Sequence, residues 1–473
     1  MLLYYTRYQF MDPNSNTVQP QVDPYYSNEG SGGLFSGKKK LILIVLIGIF
    51  VVGLVVLALW AFIFRGGSDK SDEDVTLTYW GVWEDINVLQ PVFDEFEREN
   101  PNITIQYEKI DIKTLGDYVS RLKTRTSEGK GPDIMRFHSS WLLQIQDILM
   151  PFPEDVVAET GLSDDYFKVV ERDLKRNGAY YGLPLSIDTL ALYVNASLLN
   201  NLGASVPTSW DDLESTSREL TTVEGGKIIR SGVAMGTYDN IAHASDLIAL
   251  LFLQNGADIE DLTEENLESA VSALQFYTRF SDKSDVAVWD QGMENSKIAF
   301  AGEKLAMYFG YSWDIFEIQA FNPNLVFEVH PVPSLFGTDS TIASYWAEGI
   351  SNKSKNPEAA FKFLKFMGKN ETIQKIYENQ VKARGYGSPY PKKSLAEFQK
   401  DNKLVYPFLI RADNAVSTFF ASDTYDAGLN EEMNVYLGNA IRGIINDNIS
   451  YSSAVETLGN GVRQVLSRHE GTN

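Results

Sequence analysis

Apolar and polar residues alternate with period two in Val75-Thr-Leu-Thr-Tyr-Trp80, then the spacing changes: Leu89, Val92, Phe93 and Phe96 recur at helical intervals until Asn100-Pro101. Alternation returns at Ile103-Thr-Ile-Gln-Tyr107. Strand, helix and strand in so short a stretch make a βαβ unit, which predicts a parallel sheet covered by helices on both faces. Gly129-Lys-Gly-Pro-Asp-Ile-Met135 turns into a third strand, with Phe137-His-Ser-Ser-Trp141 as the loop at its carboxyl end. Further on, Gly182 and Pro184 bend the chain ahead of an apolar run at 190–194, a buried strand approached through one acid, Asp188. Residues 197–202 read as a short helix closed by Gly203, and Pro207-Thr-Ser-Trp-Asp-Asp212 starts another with Thr208 or Ser209 as N-cap.

Residues 41–64 are a run of 24 without a charge. At about 1.5 Å per residue this is long enough to cross a hydrocarbon core of about 30 Å. It exceeds the roughly 7–15 apolar residues of a secretory signal and ends without an Ala-x-Ala cleavage pattern, so it is expected to stay as an uncleaved transmembrane anchor spanning 38–65. Lys38-Lys-Lys40 precede it and only Arg65 follows closely, which places the N-terminus in the cytoplasm and the long remainder outside a cell membrane. Residues 1–37, rich in Tyr, Asn, Gln, Pro, Ser and Gly, read as a disordered cytoplasmic tail, in which Met11 is as plausible a start as Met1. Residues 66–74 form a polar spacer.

The formal charge is −22, and with four basic and three acidic residues in 1–64, residues 65–473 carry 37 basic and 60 acidic side chains, a balance of −23. Such a surface repels phosphate backbones, and no nucleic-acid partner is expected. The chain has no cysteine, which excludes disulfides, thiolate metal sites and a cysteine nucleophile. Four histidines are scattered, and no Gly-x-Ser-x-Gly, His-Glu-x-x-His, phosphate-loop or EF-hand pattern occurs, so neither metal nor cofactor is expected.

The order of Phe93-Asp-Glu-Phe-Glu-Arg-Glu-Asn-Pro-Asn-Ile103, Gly131-Pro-Asp-Ile134, Tyr181-Gly-Leu-Pro through Tyr193-Val-Asn195, and Pro207-Thr-Ser-Trp-Asp211 resembles the family 1 extracellular solute-binding proteins of ABC importers, the maltodextrin-binding type. The residues 299–313, ending in Gly310-Tyr-Ser-Trp313, and Asn356-Pro-Glu-Ala-Ala-Phe361 extend the resemblance toward the C-terminus. It implies a two-lobed α/β fold, periplasmic-binding-protein-like of class II, with parallel-rich sheets, preceded here by one transmembrane helix. Lobe 1 would comprise 75–186 and 336–386, and lobe 2 would comprise 187–335 and 387–473.

Sugar recognition calls for flat aromatic faces and planar polar groups in one pocket. Trp83, Glu84 and Asp85 follow the first strand, where open sheets bind ligands. They either line a cleft or, respectively, fill the core and cap the next helix. The resemblance implies that Phe137 and His138 supply an aromatic platform and polar contacts, with Ser140 standing where the family carries an acid. It implies that Asp188 is an acidic ligand contact, that Tyr238 and Asp239 belong to a ligand loop, and that Trp313, beside Tyr311, is a stacking residue. Tyr345 and Trp346 lie at a lobe crossing, where alternation lets only one face the cleft, and Arg384 sits in a Gly-rich turn. The expected function is a membrane-tethered extracellular receptor that captures a small polar solute, a sugar or oligosaccharide, and delivers it to an ABC permease without chemistry. The alternatives are a surface-anchored glycoside hydrolase, for which Glu84, Asp85, Asp188 and Glu348 are the available carboxylates, and a sensor ectodomain.

Overall fold

The computed structural model describes residues 74–111, 116–262, 264–281 and 287–470. The tail, the anchor and the spacer expected from the sequence lie outside the described residues, save Asp74. Among the described residues no helix is long and apolar enough to cross a membrane. The described residues form one compact unit.

The period-two stretches become β1 (Val75–Gly81), β2 (Ile103–Lys109) and β3 (Ile134–His138), with helix α1 (Ile86–Glu99) between the first two. Val88, Leu89, Val92, Phe93 and Phe96 form the buried stripe of α1, and the helix stops at Asn100, whose side chain bonds back to the Phe96 carbonyl at 2.8 Å. The chain then reaches β4 (Leu183–Pro184), β5 (Asp188–Thr189) and β6 (Ala191–Asn195). The strands β7 (Thr222–Glu224), β8 (Lys227–Val233), β9 (Leu305–Gly310) and β10 (Phe327–Pro331) follow. Last come β11 (Thr341–Ser344), β12 (Trp346–Ile350) and β13 (Ala415–Val416).

These strands make two sheets of five and a small bridging sheet. The first has the order β2-β1-β3-β12-β4 and the second β10-β6-β9-β8-β7. The third, β13-β11-β5, is made of the stretches that run between them. Each large sheet has its own apolar core, one built on Leu77, Phe93, Met135 and Phe137, the other on Leu192, Val233, Met307 and Phe309. The sheets are mixed, which corrects the expectation of parallel-rich ones. In the first, β1 runs parallel to β2 and β3, but β12 is antiparallel to both β3 and β4. In the second, only β8 and β9 are parallel. The local βαβ pattern sees only sequential strands, whereas β12 and β6 arrive through the crossings and run the other way.

At the crossing, β5 pairs antiparallel with β11, Thr189 opposite Ala343 and Asp188 opposite Ser344. Leu190 N donates to the Ile342 carbonyl at 2.8 Å, and Thr189 Oγ1 donates to the Phe408 carbonyl at 2.5 Å.

Phe137 is a correction. It lies inside β3 rather than in a loop, is fully buried, and faces Ala347 of β12. Its ring occupies the space beside Gly182 and Gly349, where an added Cβ would come within 2.9 Å of it. Gly182 is therefore required by close packing and not by a bend. Truncating Phe137 to Ala should lower unfolding free energy by about 3–5 kcal/mol in urea titrations. Solute affinity should change less than about threefold; a large loss of affinity at unchanged stability would return Phe137 to the cleft.

A candidate solute cleft walled by two aromatic groups

The loop after β1 presents Trp83 in a left-handed backbone conformation, φ 68°, which a bulky side chain adopts only under constraint from its surroundings. That constraint is visible. Tyr107 Oη donates to the Glu84 carbonyl at 2.9 Å, and Glu84 N donates to the Val82 carbonyl at 2.8 Å. The Glu84 carboxylate is buried, accepts from Gln380 Nε2 at 2.6 Å and lies 3.5 Å from Arg384 Nη1. Arg384 also donates to Ser388 Oγ and lies over the Tyr386 ring. Glu84 and Arg384 thus brace the loop from beneath. Asp85 is exposed and caps α1 through Asn87 N, 2.9 Å away. Of the two readings of this triplet, Asp85 serves as the helix cap, and the Trp83 indole, partly buried, packs against the edge of the first-lobe core.

Trp83 meets Trp346 edge-to-face at 5.9 Å and Tyr425 at 5.9 Å. Trp346 packs in turn on Trp141 at 5.0 Å and on His138 at 5.3 Å. Its neighbour Tyr345 turns the other way, buried with its hydroxyl on Asp173, as strand alternation requires. His138 is buried, bonded through its ring nitrogens to Ser140 Oγ (2.7 Å) and Ser344 Oγ (3.0 Å). Burial lowers its pKa to about 3, so it is neutral. Ser140 donates to Asn430 Oδ1 at 2.9 Å, a link into the helix α2 (Leu429–Asp447).

In the second lobe Tyr311 and Trp313 stack at 4.4 Å with a 17° interplanar angle. The His243 ring stands perpendicular to Tyr311 at 5.1 Å. Tyr311 is fully buried and its hydroxyl donates to Asp246 Oδ1 at 2.8 Å, so Trp313 presents the accessible face of the pair. Asp188 is a second correction. It does not face the cleft: it is buried and accepts from Ser312 N at 3.0 Å and from Ser312 Oγ, between Tyr311 and Trp313. Burial pushes its carboxyl up to about 8, against the Ser312 donors that favour the charged form. Its role here is to fasten the Tyr311–Trp313 loop to the crossing strand β5.

His243, at φ 58°, donates from Nε2 to Asp314 Oδ2 at 2.8 Å. Asp314 also accepts from Tyr308 Oη at 2.7 Å and pairs with Lys297 at 2.7 Å. Burial alone would lower the His243 pKa, but Asp314, with Asp423 and Asp246, raises it to about 9. Asp314 is held well below the usual carboxylate range, since His243 and Lys297 outweigh its burial. Tyr238 and Asp239, by contrast, are drawn away from Trp313: Tyr238 donates to the Asn434 carbonyl, and Asp239 pairs with Arg442, both partners on α2. Gln144 and Asp426, like Ser140 and Asn430, bond across from the first lobe to the second.

Tyr425 and Asp423 were not singled out in the sequence. The segment holding them, 422–428, connects the two aromatic groups: Ser422 Oγ lies 2.7 Å from His243 Nδ1, while the Tyr425 ring meets Trp83. Asp423, Tyr425 and Ala427 all have positive φ. Only the run of Ser, Asp, Thr, Tyr and Gly hinted at a shaped turn. A separate hollow of about 390 Å³ near the crossing, lined by Lys168, Arg172, Asp339 and Asp413, shares no residue with the aromatic groups. The other carboxylate named from the sequence, Glu348, is buried in the first lobe beside Arg136 and accepts from Tyr79 Oη.

Two sheets, each with its own core, joined by a bridging sheet and carrying aromatic walls on both sides of the junction, define a two-lobed α/β binding protein. Residues 92–405 match the family of bacterial extracellular solute-binding proteins, and the chain belongs to that family. It is 24% identical over 371 residues to the multiple sugar-binding protein of Streptococcus mutans, covering 73% of this chain and 82% of that one. It is 24% identical over 312 residues to the maltodextrin-binding protein MdxE of Bacillus subtilis, covering 62% and 70%. The fold matches that of the GacH receptor of Streptomyces glaucescens, solved unliganded and with acarbose, with a TM-score of 0.64 at 22% identity over 83% of this chain and 99% of that one. It also matches a cyclo/maltodextrin-binding protein complexed with maltotetraose, TM-score 0.65 at 18% identity, covering 84% and 98%.

The protonated state of His243 gives a pH signature. A histidine whose folded pKa exceeds its unfolded value of about 6.5 contributes stability that is complete below that value and fades as pH rises through about 9. The wild-type melting temperature should therefore fall between about pH 6.5 and 9.5, and His243→Gln should be less stable at pH 6 with a flatter decline. Parallel melting curves against pH for the two proteins would show the imidazole to be neutral.

Proposed function

We propose that this protein is an extracellular receptor that captures a sugar or oligosaccharide between its lobes and hands it to an ABC permease. The observation that carries this reading is the pair of aromatic groups, Trp83–Trp346–Tyr425 and Tyr311–Trp313, with Trp83 forced into a left-handed backbone to take its place. Pyranose rings have apolar faces that stack on indole and phenol rings, and their hydroxyls satisfy polar groups at the rim. Relatives named as multiple sugar-binding and maltodextrin-binding proteins support the same ligand class. Ligand contacts from both lobes would shift the population toward a closed form. The lobes would divide near the crossing at 186–190 and near 336–345.

The apolar run at 41–64 would hold the receptor at the outer face of the membrane, keeping its effective concentration near the permease high. The receptor reading is favoured over a hydrolase by where the carboxylates are. Glu84, Asp188 and Glu348 are each buried and bonded to protein donors, and Asp85 caps a helix. Such groups are poorly placed to flank one glycosidic bond.

Thermal-shift screening of the chain against sugars, peptides and polyols tests the ligand class. Sugars should raise the melting temperature at stoichiometric occupancy, without hydrolysis products in chromatography of the same mixtures. A shift from peptides alone would sink the sugar assignment. Trp313→Ala should weaken sugar binding about 10–100-fold while melting within a few degrees of wild type; unchanged affinity by calorimetry would remove Trp313 from the site. External protease added to intact cells should degrade the part after residue 74, and full protection would overturn the topology.

A further inference from the structure

We propose that Asp423 sets the charge selectivity of the aromatic cleft, so that it admits neutral polyhydroxyl solutes and turns away those bearing a carboxylate. This rests on the sugar reading above. Asp423 differs from the other acids around the second-lobe aromatic pair. Asp188, Asp246 and Asp314 are buried, and each accepts hydrogen bonds from protein donors. Asp423 keeps 41% of its side chain exposed, and its contacts leave capacity unused. Oδ2 stands 3.7 Å from His243 Nδ1, a nitrogen already engaged by Ser422 Oγ at 2.7 Å, and Oδ1 meets only the Tyr425 hydroxyl at 3.4 Å. An ionised carboxylate accepts about four hydrogen bonds, so a pair of neighbouring hydroxyls finds acceptors beside the rings on which a sugar would stack.

Its place in the cluster is fixed from both ends. Ser422 N donates to Asp246 and Ser422 Oγ bonds His243, while four residues further on Asp426 accepts from Asn430 N and from Gln144. Between them Tyr425 lies against Trp83, whose Nε1 is buried and has no hydrogen-bond partner among the described residues. An unpaired indole donor and an under-used carboxylate acceptor, separated by one tyrosine, fit a solute that both donates and accepts, as a neutral sugar hydroxyl does.

The charges around the cluster set the sign of the discrimination. Asp423, Asp314 and Glu317 face His243 and Lys297, with the Asp246 carboxyl buried behind them. Three carboxylates against two cations leave the wall negative, and both cations are already committed to Asp314. A uronate carboxylate brought to the Trp313 side meets a net negative charge, and the two cations of that side are already paired with Asp314.

The experiment is isothermal titration of the purified full chain with maltotriose, mannotriose and cellotriose, each paired with its counterpart carrying a carboxylate at C6 of one residue. Asp423→Asn is the informative variant, because asparagine tolerates the left-handed backbone at this position, keeps the size and one acceptor oxygen, and removes the charge while turning the other oxygen into an NH2 donor. Wild type should bind the neutral member of a pair at least about tenfold more tightly, and Asp423→Asn should narrow that ratio to about threefold or less. Asp423→Ala should weaken the neutral sugar as well, having lost the acceptor. If none of the neutral trisaccharides binds wild type, the sugar reading fails and takes this inference with it. If they bind but the ratio is the same in wild type and Asp423→Asn, or the uronate binds more tightly to wild type, this inference alone is overturned.

Discussion

The ion pair between His243 and Asp314, with both side chains fully buried, is the interaction on which the second-lobe wall depends. Two charges withdrawn from water persist only when their remaining hydrogen-bonding positions are filled, and losing one partner of such a pair costs about 3–5 kcal/mol. Here the acid side gathers its donors mainly on one oxygen, with the other left to the Lys297 ion pair. Tyr308 Oη, Tyr311 N and Lys297 Nζ all converge on Asp314, which also sits in the first turn of the helix Trp313–Phe321, where the helix dipole favours negative charge. Three separate parts of the chain are thereby locked together: the start of the helix Ala244–Gln254, the Tyr311–Trp313 loop, and the 422–425 turn. The aromatic stack inherits its position from that lock.

A second tie runs from the wall to the crossing. Asp188 lies on the short strand that pairs with Thr341–Ser344, and its carboxyl receives Ser312, the residue between the two stacked rings. Any rotation of the lobes about the crossing strands moves Asp188, and with it the loop that presents Trp313. The first-lobe wall is supported differently. Trp83 is held by a strained turn braced through Glu84, Gln380 and Arg384, and Trp346 rests on Trp141 and His138. The two buried histidines show how environment alone divides one side chain between two uses. His138 has hydroxyl partners and stays neutral; His243 has a carboxylate and is charged.

Residue spacing located the early strands and helices because the signals are short-range. Period-two and helical patterns marked Val75–Gly81, Ile86–Glu99 and Ile103–Lys109, and Ser209 caps its helix through Asp212 N as its position suggested. Strand alternation allowed only one of Tyr345 and Trp346 to face outward, and the structure made the choice by burying Tyr345. The site was legible in outline only. Trp83 meets Trp346 and Tyr311 stacks on Trp313 as two separate pairs, whereas Phe137 fills the core, Asp188 and Glu84 are consumed by protein donors, and Asp239 is held by Arg442.

What the sequence determined by itself is therefore the α/β alternation, the family, and the aromatic residues available for stacking, all carried by patterns within a few tens of residues. Only the tertiary structure decided which acids remain accessible and that 422–428 reaches both walls. A carboxylate's availability depends on which donors the fold brings to it, and those lie far away in sequence: Ser312 for Asp188, Gln380 for Glu84, His243 for Asp314. Asp423 is left accessible for the same reason, since the nitrogen nearest its carboxylate is already bonded to Ser422.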